Sequence, residues 1–162
     1  KVFLTQEDGE EVIVGLLGPG EYFGEMALID AEPRSTGVQT LSAVQLQVIA
    51  KPDFRHLLNR SNELAQSLLQ GMSERLRNAN RMIESLATMD VYGRVARTLL
   101  QYAQEDGERL VVSEPLTQQD LAHMVGASRE MVNRVLQDLA GQGLIIREGR
   151  TIILNGLSYA GG

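Results

Sequence analysis

The chain has 162 residues, of which 43% are hydrophobic and 22% charged, a composition typical of a globular protein that buries a core, here expected in two small domains. It contains no cysteine, which fits a reducing compartment and excludes a cysteine nucleophile or a thiolate metal site. The net charge of −6 argues against generic coating of nucleic acid but not against a local basic face, and no apolar run is long enough to predict a membrane span.

The beginning of the chain has the texture of short strands and turns. Residues 1–6 and 12–17 predict two strands around a turn at residues 7–10, and further strands are predicted at residues 35–40 and 44–49, where apolar and polar residues alternate. This hairpin spacing predicts part of a β-sandwich or jelly roll. Because the chain opens inside a strand without an initiator methionine, we expect the first strands of that jelly roll to be missing.

From Pro52 the pattern becomes helical, with a short helix predicted at residues 53–59 and a long one at residues 62–88. Apolar residues recur along the long helix at alternating intervals of four and three positions. These residues, called the heptad seam below, are Ala65, Leu69, Met72, Leu76, Ala79, Ile83 and Leu86. The spacing predicts a parallel two-helix coiled coil across a dimer axis; the alternative is a stripe that packs on the helix's own domain.

A compact helical unit is predicted after residue 89. It begins with an amphipathic helix at residues 91–104, which an acidic loop at residues 105–108 closes. Near its end, residues 144–154 hold two apolar runs around Glu148 and Gly149. This pattern predicts a hairpin wing, although Glu-Gly is a weaker hairpin signal than Asn-Gly.

The most specific pattern lies between these elements. Thr117 and Asp120 have the spacing of a capping box at one helix. Gly126 permits a tight turn, and Ser128 can cap a second helix. Burial of the apolar positions of the second helix would present Arg129, Glu130, Asn133 and Arg134 on its other face. Such side chains suit the reading of base edges in a major groove, and the alternative is a solvated charged face.

A second cluster, in the β-rich part, combines Gly24, Glu25, Arg34 and Ser35. A cyclic phosphodiester needs a cation and backbone N–H donors, a ribose hydroxyl needs a carboxylate acceptor, and close approach of a ligand needs glycine. An internal ion pair between Glu25 and Arg34 is the alternative explanation of the same residues.

Residues 23–28, Phe-Gly-Glu-Met-Ala-Leu, together with Pro33-Arg34-Ser35, resemble the phosphate-binding cassette of the cyclic-AMP receptor protein family, the CRP/FNR superfamily of bacterial transcription regulators. Residues 127–134 resemble the recognition helix of that family, and the resemblance extends over essentially the whole chain. It implies an α+β fold in which a β-jelly-roll cyclic-nucleotide-binding domain is followed by a long dimerisation helix and a C-terminal winged helix-turn-helix domain.

The implied domain bounds are 1–60 for the partial jelly roll, 61–89 for the dimerisation helix and 90–162 for the winged domain. The resemblance implies ligand contacts from Gly24, Glu25, Met26, Arg34, Ser35, Arg75, Ala79 and Asn80. It implies DNA contacts from Thr117, Gln118, Gln119, Ser128, Arg129, Glu130, Asn133 and Arg134. Ala79 and Asn80 stand where the family's cyclic-AMP receptors typically have threonine and serine, so the chain departs from the family at the base-facing positions.

The resulting expectation is a cytoplasmic, homodimeric transcription regulator, not an enzyme, that binds palindromic double-stranded DNA under allosteric control by a cyclic nucleotide, with cyclic AMP as the leading candidate. RNA polymerase is a further candidate partner, and no metal or membrane is expected. Two alternatives stay open. The first is a regulator of this superfamily with a cyclic dinucleotide, redox or haem effector, or none; the second is a cyclic-nucleotide-binding regulatory subunit of an enzyme.

Overall fold

A computed structural model describes the chain over residues 1–30, 32–107, 109–112, 116–149 and 151–155. The chain divides into two compact units, residues 1–83 and 84–162. Within the described residues, no helix combines the length and the apolar character needed to cross a membrane.

The first unit is built on a small antiparallel sheet in which β1 lies between β2 and β3. Its elements in chain order are β1 (Val2–Thr5), β2 (Glu11–Gly15), α1 (Met26–Ile29), β3 (Gly37–Val38), α2 (Lys51–Arg60) and most of α3 (Asn62–Thr88). Ile13 of β2 is only 1% exposed, and α2 buries Phe54. The predicted hairpin and both predicted helices are confirmed, and the bounds of α3 are those expected from its periodicity.

The two later strands predicted for this unit are largely wrong. Of residues 35–40 only Gly37 and Val38 form a strand, beside which Gln39 exchanges hydrogen bonds with Lys1, and residues 44–49 form no strand. Alternation of apolar and polar residues defines the two faces of a strand, but a strand forms only where a neighbour supplies the hydrogen-bonding ladder. No described segment pairs with residues 44–49, and the side chain of Val48 is 89% exposed.

From Leu69 onward the heptad seam lies on the exposed side of α3, and its first residue, Ala65, is half-buried. Leu69, Leu76 and Ile83 are each 64–65% exposed, whereas Leu68, next to the seam, is buried. The helix therefore packs on its own unit through a different stripe from the heptad seam. Its first turn is capped by Ser61, whose hydroxyl accepts a hydrogen bond from the Leu64 N–H at 3.1 Å.

Within the described residues, the second unit contains the end of α3, three further helices and a four-stranded antiparallel sheet of order β4-β5-β7-β6. Its elements are α4 (Val91–Gln101), β4 (Gln104–Asp106), β5 (Arg109–Val112), α5 (Gln118–Val125), α6 (Arg129–Gly141), β6 (Ile145–Glu148) and β7 (Thr151–Leu154). The core is formed by apolar residues of α4, α5, α6 and the sheet, with Val95, Val132 and Leu139 wholly buried. Burial of this continuous apolar surface holds the helices together.

The predicted wing is confirmed as the β6–β7 hairpin, with Gly149 in the left-handed region at φ +62°. The predicted helix at residues 91–104 ends earlier, and the predicted acidic loop is partly strand β4, paired with β5. The side chains of β4 are all exposed, so no apolar alternation marked the strand. Asp106-Gly107 was the available signal, because Gly107 adopts φ +63° as hairpin turns often require. Glu108 and Arg150 lie outside the described residues.

Candidate functional sites

Glu25 is a charged residue that is only 4% exposed. Its Oε1 accepts a charged hydrogen bond from Nη1 of Arg75, and Nη2 of Arg75 donates to the Tyr22 carbonyl at 2.6 Å. Its other oxygen, Oε2, is buried without a hydrogen-bond partner among the described residues. The alternative explanation of this cluster, an internal ion pair between Glu25 and Arg34, is therefore wrong. Because an unpaired buried carboxylate oxygen is costly, Oε2 marks a position that a hydroxyl donor would stabilise.

Arg34 lies against the backbone of Gly24. Gly24 has φ +80°, and a Cβ added there would come within 3.1 Å of Arg34 Nη1. Glycine thus allows both this backbone conformation and the close approach of the guanidinium. The side chain of Arg34 is exposed, and no hydrogen bond or ion pair joins it to another described residue. Its charge is available to an anion.

The structure brings four predicted ligand residues together, Gly24, Glu25, Arg34 and Arg75, and these are called the Glu25 cluster below. The remaining predicted ligand residues are exposed and make no hydrogen bond to this cluster: Met26, Ser35, Ala79 and Asn80. Ala79 lies one helical turn after Arg75 on α3.

Tyr22 and Gly71 contribute to this region and were missed by sequence reasoning. The Tyr22 ring lies beneath the Arg75 guanidinium, with 5.0 Å between ring centroid and Cζ. A Cβ added at Gly71 would overlap the Tyr22 hydroxyl. A glycine in the middle of a predicted helix was the available signal, since it often marks a close packing contact.

The helix-turn-helix is held by the local bonds that the sequence predicts. Thr117 Oγ1 accepts from the Asp120 N–H at 3.1 Å, and Asp120 Oδ2 accepts from the Thr117 N–H at 2.9 Å, which completes the capping box of α5. Gly126 ends α5 at φ +62°, and Ser128 Oγ accepts from the Met131 N–H at 3.2 Å to cap α6. The start of each helix is therefore firmly defined.

The exposed face of α6 is mostly as expected. Arg129, Glu130 and Arg134 are exposed and form no hydrogen bond or ion pair with another described residue. Asn133 differs, because it is half-buried and its Oδ1 accepts a hydrogen bond from Gln118 Nε2 at 3.1 Å. Two residues that the sequence predicts as separate DNA contacts are thus joined to each other.

Gln119, the other predicted DNA contact of α5, is exposed and lies with its Nε2 at 2.6 Å from His123 Nε2. Nδ1 of His123 is buried without a partner among the described residues. Throughout the described part of the chain, no group of three or more His, Cys, Asp or Glu side chains is placed to hold a metal ion.

Arg94 was also missed by sequence reasoning. Its Nε donates to the Val125 carbonyl at 2.7 Å, Nη1 to the Met89 carbonyl at 3.0 Å and Nη2 to the Gly126 carbonyl at 3.4 Å. Met89 directly follows α3, and the other two acceptors lie at the end of α5. One guanidinium therefore satisfies carbonyls at the C-terminal ends of two helices. No sequence signal announces this contact, because all three acceptors are backbone atoms.

Comparison with known proteins matches both units to described families. Residues 1–61 match the cyclic nucleotide-binding domain, and residues 93–157 match the Crp-like helix-turn-helix domain. The CRP-like cAMP-activated global transcriptional regulator of Mycobacterium tuberculosis is 36% identical over 159 residues, which are 96% of this chain and 71% of that protein. The cAMP-activated global transcriptional regulator Vfr of Pseudomonas aeruginosa is 36% identical over 96% of this chain and 76% of that protein.

Solved structures of regulators from the same family are similar to this chain. The c-di-GMP responsive global regulator CLP of Xanthomonas campestris superposes with a TM-score of 0.76 at 32% identity, over 96% of this chain and 79% of that chain. A CRP/FNR family transcriptional regulator from Thermus thermophilus has a TM-score of 0.76 at 30% identity, over 96% and 78% of the two chains. The expected α+β fold, with jelly-roll domain, long helix and helix-turn-helix, is confirmed, and the relatives are transcription regulators and not enzymes. The chain belongs to the CRP/FNR family of DNA-binding transcription regulators.

Proposed function

We propose that this protein is a homodimeric regulator whose sequence-specific DNA binding is controlled by a cyclic nucleotide, with cyclic AMP as the first candidate. The observation that carries the proposal is the Glu25 cluster. It holds a buried carboxylate with one oxygen paired to Arg75 and the other unpaired, beside the unpaired guanidinium of Arg34. A cyclic nucleotide has the complementary groups, a ribose hydroxyl and an anionic phosphodiester.

In this proposal the ribose hydroxyl donates to Oε2 of Glu25, and the phosphodiester binds Arg34 and the hydroxyl of Ser35. Gly24 and Met26 supply backbone beside the phosphate, and Arg75 approaches the ligand from α3. Ala79 and Asn80 follow Arg75 on the same helix and would face the base. Ala79 offers a base no side-chain hydrogen bond, whereas the Asn80 amide can both donate and accept.

A cyclic dinucleotide is the second candidate effector. The relatives at similar identity differ in this respect, since the M. tuberculosis and P. aeruginosa proteins are described as cAMP-activated and the X. campestris protein as c-di-GMP responsive. Ala79 is compatible with this candidate as well, because its side chain makes no hydrogen bond that would select one base.

The heptad seam supports a homodimer formed through residues 61–89. Its leucine and isoleucine side chains are exposed in one copy of the chain, and the same seam on a second copy would bury them. We place the effector domain at residues 1–60 and the DNA-binding domain at residues 90–162. Effector binding would then favour the dimer arrangement in which the two recognition helices lie one DNA turn apart. In this proposal the regulator is cytoplasmic, and RNA polymerase is a further partner.

On the DNA, α6 would enter the major groove with Arg129, Glu130, Asn133 and Arg134 at base edges. Thr117 and Ser128 each cap one backbone N–H, of Asp120 in α5 and of Met131 in α6, and the N–H groups before these in each first turn can bind phosphates. Gln118 and Gln119, in the first turn of α5, would lie along the same phosphate backbone.

Titration calorimetry of the protein with cyclic AMP, cyclic GMP and cyclic di-GMP tests the effector. Saturable heat with one nucleotide, and tighter binding of that nucleotide when palindromic operator DNA is present, is the expected result because coupling is reciprocal. Arg34→Ala should abolish the heat, whereas Arg55→Ala, which removes an exposed charge from α2, should not. Absence of heat with all three nucleotides and unchanged DNA affinity would overturn the effector proposal.

DNA reading is tested with Arg129→Ala. We expect a loss of about 1–3 kcal/mol in specific binding and a relaxed preference at one base pair of each half-site. Arg109→Ala is the matched control, because it also removes an exposed positive charge, from β5 in the same unit. Equal losses on all DNA sequences would show that Arg129 contacts only the backbone.

A further inference from the structure

The hydrogen bond between Gln118 and Asn133 restricts how Asn133 can read DNA. An unrestrained asparagine recognises adenine with two bonds, in which its oxygen accepts from N6 and its nitrogen donates to N7. Here Oδ1 of Asn133 is engaged by Gln118 Nε2 at 3.1 Å. Asn133 is half-buried, and its Nδ2 forms no hydrogen bond with another described residue. The Nδ2 donor of the Asn133 amide is therefore the group that remains available to a base edge.

We propose that Gln118 is a positioning residue that sets the orientation of the Asn133 amide, and that Asn133 consequently selects guanine over adenine at its base pair. The proposal rests on the proposed DNA-reading function and adds the identity of the base edge. Guanine presents two acceptors, N7 and O6, in the major groove, whereas adenine presents one acceptor and one donor. The two N–H donors of Nδ2 match the first arrangement.

The surroundings of Asn133 support a fixed amide. Asn133 lies one turn after Arg129 on α6, between Val132, which is wholly buried, and Arg134, which is exposed. Gln118 is the first residue of α5 after its cap at Thr117, and the capping box fixes that turn of backbone. The hydrogen bond therefore joins side chains on two well-defined backbone positions. Since the backbone entropy is already lost on folding, forming this bond costs only the rotamer entropy of the two side chains.

The decisive variant is Gln118→Glu. A carboxylate only accepts hydrogen bonds, so it would bind Nδ2 of Asn133 and turn the amide over, leaving Oδ1 towards the DNA. The expected result is a change of preference at one base pair from guanine to a base with an exocyclic amino donor, adenine or cytosine, by at least about fivefold in relative affinity. An acidic residue in the first turn of a helix is favourable, so the variant should fold.

The matched control is Gln119→Glu, which adds the same charge one residue later, at a side chain that contacts His123 and not Asn133. It should weaken binding to all sequences alike and leave the base preference unchanged. Asn133→Ala should remove the preference at the same base pair. The double variant Gln118→Glu/Asn133→Ala should show the same base preference as Asn133→Ala, because Gln118 sets that preference through Asn133.

The measurement is selection of binding sites from randomised double-stranded DNA by the full chain, with and without cyclic AMP, followed by single base-pair changes in the selected site. The inference would be overturned, and the proposed function left standing, if the base preferences of the selected site changed with Arg129→Ala but with neither Asn133→Ala nor Gln118→Glu. Failure to select any sequence would overturn both. A change confined to one base pair and shared by the Gln118 and Asn133 variants would support the inference.

Discussion

Replacing Arg94 by alanine should lower the free energy of unfolding of the second unit by about 2–3 kcal/mol. Its guanidinium donates to the carbonyls of Val125, Met89 and Gly126 at 2.7, 3.0 and 3.4 Å. Hydrogen bonds to a charged group contribute about 1.5–3 kcal/mol each. The hydrogen bond to Gly126 is long and Arg94 is only half-buried, so water can replace some of these hydrogen bonds in the variant. The expected loss of stability is therefore well below the sum of three such bonds.

The assay is urea denaturation, combined with hydrogen exchange of the α5 amides because a chain of two units need not unfold in one step. Arg97→Ala is the control, since it removes the same charge from the same helix. Arg97 pairs with Glu84 at 3.3 Å, but the Glu84 side chain is 61% exposed, so we expect a loss below about 1 kcal/mol. Equal losses for the two variants, or unchanged exchange in α5, would refute the role assigned to Arg94.

Three further changes test other parts of the structure. Gly71→Ala should destabilise the first unit by about 1–3 kcal/mol in thermal unfolding, because the new methyl overlaps the Tyr22 hydroxyl; adding Tyr22→Phe should restore most of the loss, and no recovery would contradict the contact. Ser128→Ala removes the cap of α6 and should cost about 1 kcal/mol in the same assay, so an unchanged midpoint would contradict that role. Leu76→Glu should dissociate the proposed dimer in sedimentation analysis, whereas Leu57→Glu, which changes an exposed leucine of α2, should leave it intact. A dimer that survives both changes would rule out the heptad seam as its interface.

The helix-turn-helix could be predicted closely from sequence because its signals are local. The capping box of Thr117 and Asp120 is complete within four residues, and Gly126 and Ser128 each act on backbone groups close to themselves. The long helix was equally accessible, since a period that persists over 27 residues distinguishes a helix from a strand.

Most of the features that sequence reasoning missed depend on partners that are distant in the chain. Glu25 pairs with Arg75, 50 positions away, rather than with the nearer arginine at position 34. The alternation of residues 44–49 predicted a strand, but no described segment pairs with it. Strand pairing and ion-pair choice are decided by tertiary packing, so a pattern within one segment can propose them but cannot decide between partners.

Arg75 and Leu76 are neighbours on α3, and they serve different contacts. Arg75 is bound to Glu25 in the proposed effector site, while Leu76 belongs to the exposed seam that we propose a second copy covers. If both proposals hold, a dimer interface that orders this turn of helix also orders the nucleotide site, and by mass action the two equilibria are linked. The nucleotide concentration needed for half-saturation would then fall as the protein concentration rises. A cell that makes more of this regulator would make it respond to a weaker signal.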